Sequence, residues 1–373
     1  MGKRELLLIA AFLIVGSAVY WATAPEPAPG QRGLSISNFI DHVRREIRGN
    51  SSSAEVTATS TLEVKPGVSE IRFEIGASPL TIVGENRKDL VCELGVWSNG
   101  VDEAEAKKYA SETKLKVSDA GPSLVIGISY PQPGTQRATL VVRMPSALSV
   151  RIQPSRGKLE ISNVASVELV ESRGMVIVRG VKGRLAATHR GGALTVESTG
   201  ALKLNSRGSN IALKDIGGEI LAQLQAGELR GSHLAGPIEI ESNGTTIALD
   251  ALGETHKPIR VNATGGSVSI DGIATDTRVD GRDTRIDLKV ERPVPIAVYN
   301  ENDEPTRVTL PIGGFQIDAL AIDGTLTVPE GLLRVKVDGN EQRASGVIKG
   351  GGPTMTLRSS RGRIELIAPK SPT

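Results

Sequence analysis

Four arginines recur at a constant interval and are the residues whose spacing most directly suggests chemistry. They lie 17 residues apart, at Arg156, Arg173, Arg190 and Arg207. A guanidinium group is planar, permanently charged and rich in hydrogen-bond donors, so a row of them suits carboxylate or phosphate groups. If a repeating element stacks these residues, we expect a polyanion-binding edge for an anionic polymer or a lipid head group. The alternative is a series of solvated turns, because like charges this close repel by only about 1 kcal/mol per pair in water.

The histidines and the cysteine do not form a pattern typical of catalysis or metal binding. His42, His189, His233 and His256 show no short-spaced pair, and we interpret them as structural or solvated. The chain has one cysteine, Cys92, so it has no intramolecular disulfide and no zinc site built on thiolates. The residues around Cys92 alternate like a strand, which predicts a small buried side chain.

An acidic cluster near residue 280 is the remaining candidate for chemistry. Asp271, Asp276, Asp280 and Asp283 lack the regular glycine-rich spacing of calcium-loaded repeats, and we interpret them as turn residues. Asp280 and Asp283 could instead be the carboxylates of a polysaccharide-cleaving enzyme. The sequence around them lacks the aromatic platforms that such a cleft tends to need.

Composition disfavours nucleic acid as a partner. The net charge is +2 and aromatic residues make up 3% of the chain. No Phe, Tyr or Trp occurs between Arg151 and Val290, so bases would have nothing to stack on. No glycine-rich phosphate loop precedes a helix, and the sequence predicts no cofactor.

A repeated phrase dominates the centre of the chain. Each copy is a polar turn with Gly followed by apolar residues at alternate positions, and the first apolar positions are Leu159, Val176, Leu194, Ile211, Leu229, Ile247 and Val268. They are 17, 18, 17, 18, 18 and 21 residues apart. A second phrase with the same spacing lies half a period away. About 17 residues accommodate two short strands and two tight turns, and stacking completes both the hydrogen bonds and the core.

The period therefore predicts an all-β fold, a single-stranded parallel β-solenoid (β-helix) with coils of about 17–18 residues. A leucine-rich repeat is the first competitor, but its period is longer and its Asn position is missing here. A β-sandwich is the second, and it does not explain the constant period.

An apolar segment near the start predicts a membrane anchor before the solenoid. Lys3 and Arg4 precede the uncharged run Leu6 to Ala24, which is long enough for a transmembrane helix. The expected topology is a single-pass membrane protein with a cytoplasmic N-terminus and a periplasmic or extracellular body. A signal peptide cleaved after Ala18 is the alternative.

The same reading divides the chain into six parts. Residues 1–24 are the anchor or signal segment, and 25–50 are a Pro-rich spacer with a short amphipathic helix. Residues 51–150 are an N-terminal β section with one surface helix, and 151–290 are the regular solenoid. Residues 291–367 are irregular coils with a cap, and 368–373 are a disordered tail.

Three stretches carry a family resemblance. Arg143-Met144-Pro145, the repeats after Ser155-Arg156-Gly157, and the closing Arg361-Gly362-Arg363-Ile364-Glu365-Leu366 resemble the bacterial putative-adhesin family with a head GIN-like β-solenoid. The resemblance covers roughly residues 55 to 367. It implies an exported β-solenoid and brings no catalytic residues to transfer.

The resulting functional expectation is a non-enzymatic, envelope-anchored, adhesin-like binding or scaffold protein. Its expected partners are the membrane, through the N-terminal helix, and an anionic envelope polymer or another envelope protein. A self-assembling structural solenoid is the first alternative, because open ends of a β stack invite strand pairing. An envelope polysaccharide-cleaving β-helix enzyme is the second. The oligomeric state stays open.

Overall fold

The computed structural model describes residues 52–131, 135–250, 252 and 257–369, and these contain one helix and 23 strands. The helix α1 spans Glu103–Glu112. The strands are β1 (Ser52–Glu63), β2 (Glu70–Glu74), β3 (Leu80–Glu85), β4 (Asp89–Gly100), β5 (Lys114–Ala120), β6 (Ser123–Ser129), β7 (Gln136–Pro145), β8 (Ser149–Ile152), β9 (Leu159–Ser162), β10 (Val167–Ile216), β11 (Ile220–Leu234), β12 (Ile238–Asp250), β13 (Ile259–Ile273), β14 (Thr277–Arg282), β15 (Arg285–Val290), β16 (Ile296–Asn302), β17 (Thr306–Thr309), β18 (Phe315–Ile322), β19 (Thr325–Thr327), β20 (Lys336–Asp338), β21 (Glu341–Ile348), β22 (Thr354–Arg361) and β23 (Arg363–Ile367).

All 23 strands belong to one mixed sheet, so the prediction of a single-stranded parallel β-solenoid is wrong. Five pairs are antiparallel: β1–β4, β4–β7, β5–β6, β18–β21 and β20–β21. Alternation of apolar residues occurs in both parallel and antiparallel strands, so the pattern alone could not exclude these pairs.

The antiparallel pairs lie toward the two ends of the described chain, where the repeated phrase is absent. β5 and β6 are separated only by Gly121 and Pro122, and such a short connection permits only antiparallel neighbours. β20 and β21 are likewise joined by Gly339 and Asn340. Local hairpins thus replace the long crossover that a parallel pair requires.

Two parallel series cross the middle of the sheet. The first series follows β8, β10, β11, β12, β13, β14, β16, β22 and β18. The second series follows β3, β9, β10, β11, β12, β13, β15, β17, β23 and β19. Register partners in β10 to β12 are 18 residues apart, as in Leu202, Ile220 and Ile238.

The core is a narrow apolar interior between these two series. In the second series Leu159 pairs with Val176, and Ile211 pairs with Leu229 and then Ile247. All five side chains are buried. Each such aliphatic side chain contributes about 1.5–3 kcal/mol when removed from water.

Glycine is required where successive turns stack closely. Gly192 has φ +93°, and a Cβ on it would lie 2.2 Å from the carbonyl oxygen of Gly174. Its neighbour Gly191 also has positive φ, +73°, but a Cβ there would meet nothing within 4 Å. In the turn after Arg190, Gly191 is therefore required only because its φ is positive. Gly192 is required for the same reason and also because a side chain would not fit there.

The helix α1 is short and charged, and it packs on the antiparallel end of the sheet. Asp102 caps it by accepting a hydrogen bond from the backbone N–H of Glu105 at 2.9 Å. Ala106 and Ala110 are buried against the strands. This helix lies within residues 51–150, the section in which the sequence analysis expects one surface helix.

Among the residues that the structure describes, no helix has the length and apolar character needed to span a bilayer. The predicted anchor at 1–24, the spacer and helix at 25–50 and the end of the predicted tail lie outside the described residues. We therefore correct the predictions of a transmembrane helix, of a single-pass topology and of the membrane as partner to this extent: no element within the described residues supports them.

Candidate functional site

Arg156 lies between β8 and β9, and Arg173, Arg190 and Arg207 lie within β10, each of these three directly before a glycine of positive φ at which the chain turns. Each one comes directly after a buried polar residue, namely Ser155, Ser172, His189 and Ser206. The arginine side chains themselves are exposed. The alternation of the strand thus continues into the turn and directs the guanidinium groups to solvent. We name Arg156, Arg173, Arg190 and Arg207 the arginine edge.

Contacts between successive turns bring the first two arginines together. Ser155 and Ser172 form a parallel bridge, and the backbone N–H of Arg173 donates to the carbonyl oxygen of Ser155 at 3.0 Å. Arg156 and Arg173, the next residues along, therefore lie on neighbouring strands. Parallel neighbours are separated by about 4.8 Å.

A single carboxylate joins the second and third arginines. Glu171 Oε1 lies 3.0 Å from a terminal nitrogen of Arg173, and Glu171 Oε2 lies 3.9 Å from Nε of Arg190. Arg190 and Arg207 both line one surface hollow of about 420 Å³. All four arginines are thus connected through shared neighbours.

The charge of the arginine edge is only partly compensated. Within residues 52–131, 135–250, 252 and 257–369, no carboxylate lies within 4.0 Å of Arg156 or Arg207, and Glu171 is shared between the other two arginines. Glu197, which could have neutralised part of the edge, pairs instead with Arg179 at 2.8 Å. The edge therefore carries a net positive charge in a protein whose total charge is +2.

The row of the arginine edge continues across the sheet with different side chains. Register partners of Arg207 in the following strands are Gln225, Asn243, Thr264 and Arg282. Arg282 is paired with Glu301 at 2.9 Å. The positions that follow Arg207 in the row are thus polar but carry almost no net charge. The positive charge is therefore confined to one end of the row.

A buried polar column lies directly beneath the arginine edge and consists of Ser155, Ser172, His189 and Ser206. The Oγ atom of Ser172 lies 3.0 Å from Nδ1 of His189, whose side chain has no solvent exposure. Burial lowers the pKa of His189, because the charged imidazolium would lose its hydration, and the hydrogen bond to Ser172 opposes this in part. Nε2 of His189 has no hydrogen-bond partner in the structure. The imidazole is therefore held neutral inside the turn.

His233 and Cys92 do not join a cluster of titratable side chains in the described part of the chain. His233 is exposed, with Nδ1 3.6 Å from Asp215, while His42 and His256 lie outside the described residues. Cys92 is fully buried, and burial raises the pKa of its thiol to about 11. Among the described residues no group of three His, Cys, Asp or Glu side chains is arranged to hold a metal ion.

The acidic residues near position 280 are engaged in separate ion pairs or turns. Asp271 pairs with Lys289, Asp276 with Arg260 and Asp280 with Arg278, at distances of 2.5, 2.5 and 2.7 Å. Asp283 occupies a left-handed turn position with φ +51°. Of the two carboxylates proposed for a cleaving enzyme, Asp280 is therefore held in an ion pair and Asp283 lies at a turn.

One surface feature was missed by the sequence reasoning. An outward row next to the arginine edge consists of register partners in successive strands: Asn205, Gln223, Glu241, Asn262, Asp280 and Tyr299. We name it the amide–carboxylate row. Its members are 18 to 21 residues apart, a longer and less regular interval than the 17 residues between the arginines.

No family model matches this sequence, and no curated protein matches it. Solved structures do match. One is described as a putative cell adhesion protein from Clostridium sporogenes ATCC 15579, with 12% identity and a TM-score of 0.19, over 84% of this chain and 100% of that one. Another is described as a putative adhesin from Parabacteroides distasonis ATCC 8503, with 11% identity and a TM-score of 0.31, over 84% and 97%. At these values neither likeness establishes the family or the function of this chain.

Proposed function

We propose that this chain is a non-enzymatic binding protein whose arginine edge holds an anionic polymer. The observation that supports the proposal is the alignment of four exposed arginines on connected turns, two of them with no carboxylate within 4.0 Å in the described part of the chain. The polymer's repeated anionic groups would meet arginines repeated at the spacing of parallel strands.

The energetics favour a polymer over a single anion. Adjacent arginines repel each other by about 1 kcal/mol in water at this range, and an anion placed between two of them removes that repulsion and adds attraction. An exposed guanidinium binds one anionic group weakly, because both are well hydrated. Linking several groups in one chain makes the later contacts intramolecular, so the affinity rises without new kinds of contact.

The direct test is binding of polyphosphate and of hyaluronan, with dextran as the uncharged control polymer. Replacing Arg156, Arg173, Arg190 and Arg207 together by Ser should weaken binding of both anionic polymers by at least about tenfold, which corresponds to about 1.4 kcal/mol. The folded state should persist, since all four side chains are exposed.

A charge-matched control separates the edge from net charge. Arg179, Arg230, Arg307 and Arg343 are also exposed, and each lies within about 3.1 Å of a carboxylate. Their joint replacement by Ser removes the same formal charge and should leave binding nearly unchanged. Equal losses in both variants, or no binding of either polymer by the unmodified protein, would refute the proposal.

A further inference from the structure

The arginine edge is continuous with a shallow groove that extends further along the sheet. One hollow of about 420 Å³ is lined by Arg190, Arg207 and the start of the amide–carboxylate row. A second hollow of about 430 Å³ contains the end of that row and includes Tyr299. The two hollows share Glu241 and Ser242, so they meet along one line.

The chemistry of the groove differs from that of the edge. Asn205, Gln223 and Asn262 offer both amide donors and carbonyl acceptors, and all three are exposed. Side chains of this kind recognise hydroxyl groups, which also donate and accept. A ligand with anionic groups alone would accept hydrogen bonds from the amide N–H groups but would offer no donor to the amide carbonyl oxygens.

The carboxylates of the groove are mostly neutralised by neighbours. Arg278 holds Asp280 through two hydrogen bonds of 2.7 and 3.0 Å, and Arg282 pairs with Glu301 at 2.9 Å. Glu241 accepts a hydrogen bond from Gln223 at 3.2 Å and has no cationic partner within 4.0 Å in the described chain. An anion directly over Glu241 would be repelled, whereas a hydroxyl would be accepted.

Tyr299 gives the far end of the groove an aromatic surface. Its residue is 39% exposed, and the guanidinium carbon of Arg278 lies 5.0 Å from the ring centroid. Asp280 fixes the position of Arg278, and Arg278 in turn restricts the motion of the Tyr299 ring. An immobilised, exposed ring offers an apolar surface to the C–H groups of a sugar at low entropic cost.

From these features we propose that the anionic polymer is an acidic polysaccharide in which charged sugars alternate with uncharged ones. Its charged groups lie on the arginine edge, its hydroxyl groups lie on the amide–carboxylate row, and one sugar ring stacks on Tyr299. This inference rests on the proposed function, because it names the class of polymer that the arginine edge binds. The row from Asn205 to Tyr299 spans five strand intervals, about 24 Å, so an extended chain is required.

Two probes and three single variants test the inference. Hyaluronan oligosaccharide alternates a uronic acid with an uncharged amino sugar, whereas polyphosphate has charges but no hydroxyl-bearing rings. Tyr299→Ala should weaken hyaluronan binding about tenfold and leave polyphosphate binding unchanged, as measured by calorimetry. Tyr299→Phe keeps the ring and should bind hyaluronan like the unmodified protein. Trp97→Ala is the matched control, since Trp97 is also exposed (37%) and lies against an arginine, Arg137, at 5.6 Å.

The outcomes separate this inference from the proposed function. If polyphosphate and hyaluronan both depend on the arginine edge but Tyr299→Ala binds hyaluronan normally, the polysaccharide inference is overturned and the proposed function stands. If neither probe depends on the arginine edge, the proposed function fails, and the inference that rests on it fails as well. Equal effects of Tyr299→Ala and Trp97→Ala would also overturn it, because exposed aromatic rings in general would then explain the loss.

Discussion

At the scale of single residues, the buried polar column beneath the arginine edge is the most unusual feature. His189 is fully buried, and its one hydrogen bond is to Ser172. A buried imidazole with an unpartnered nitrogen is costly, because the lost hydration of that atom is not replaced. The column lies directly behind the arginines, and His189 is the buried residue that directly precedes Arg190 of the proposed site.

The lowered pKa of His189 predicts a loss of stability in acid. In the unfolded chain the imidazole has a pKa near 6.5 and takes up a proton below that pH, while the folded chain resists protonation. The unfolded state therefore binds more protons, and folding stability falls as pH drops below about 6.5. Between about pH 7.5 and 5.5, His189 should therefore contribute to this loss, which is measured from urea unfolding midpoints.

His189→Asn is the informative variant for this prediction. The amide can still donate to Ser172 but does not titrate, so its stability should fall less between the two pH values. His233→Asn is the control, since His233 is exposed. If the His189→Asn protein loses as much stability in acid as the unmodified protein, burial of the imidazole does not govern the effect.

At the scale of the elements, the stacking of turns explains the glycine content of the centre of the chain. Gly191 and Gly192 are adjacent and both have positive φ, yet only Gly192 faces a backbone atom of the previous turn. The pair therefore distinguishes two reasons for glycine within one turn. Both residues lie directly after Arg190, so the geometry of this turn also sets the position of the arginine edge.

The two glycines predict unequal costs of substitution. Gly191→Ala should destabilise the protein by about 1–2 kcal/mol, the cost of a left-handed conformation with a side chain. Gly192→Ala should cost at least about 3 kcal/mol, because the new Cβ meets the Gly174 carbonyl and the backbone must shift. Urea unfolding of the two variants measures both values, and equal costs would contradict the close stacking of the turns.

How far the elements could be predicted from sequence depends on the kind of information that each pattern contains. Alternation and period together indicated which side chains face inward, and Leu159, Val176 and Leu194 are buried. They did not specify strand direction, because parallel and antiparallel strands alternate in the same way. The pairing of β18 with β21 depends on contacts between residues far apart in the chain, and no local pattern encodes it.

The candidate site was predictable only in part for a similar reason. Arginines stand out in a sequence because they are charged and recur at one interval. Asn205, Gln223 and Asn262 are different residue types, so their common row emerges only from the register of the strands. The ring of Tyr299 lies at the end of that row because β16 follows β14 in the sheet, which the sequence did not predict.

At the scale of the whole molecule, the positions of the charged side chains matter more for anion binding than the net charge of the protein does. With a net charge of +2 the protein has no strong overall field for anions. Most other exposed arginines of the described chain have a carboxylate nearby, as Arg230 and Arg307 do. The arginine edge has one shared carboxylate for four aligned cations. Affinity for a polyanion should therefore be local and sensitive to salt.

The salt dependence of polyphosphate binding reports how many ionic contacts the arginine edge makes with the polymer. Each contact between an arginine and the polymer releases counterions, so the logarithm of affinity should fall linearly with the logarithm of salt concentration. We expect a steep line for the unmodified protein and for the variant in which Arg179, Arg230, Arg307 and Arg343 are replaced by Ser. Replacing the arginine edge by Ser should make the line shallower by about 1 unit of slope per contact. Three lines of the same slope would contradict the account.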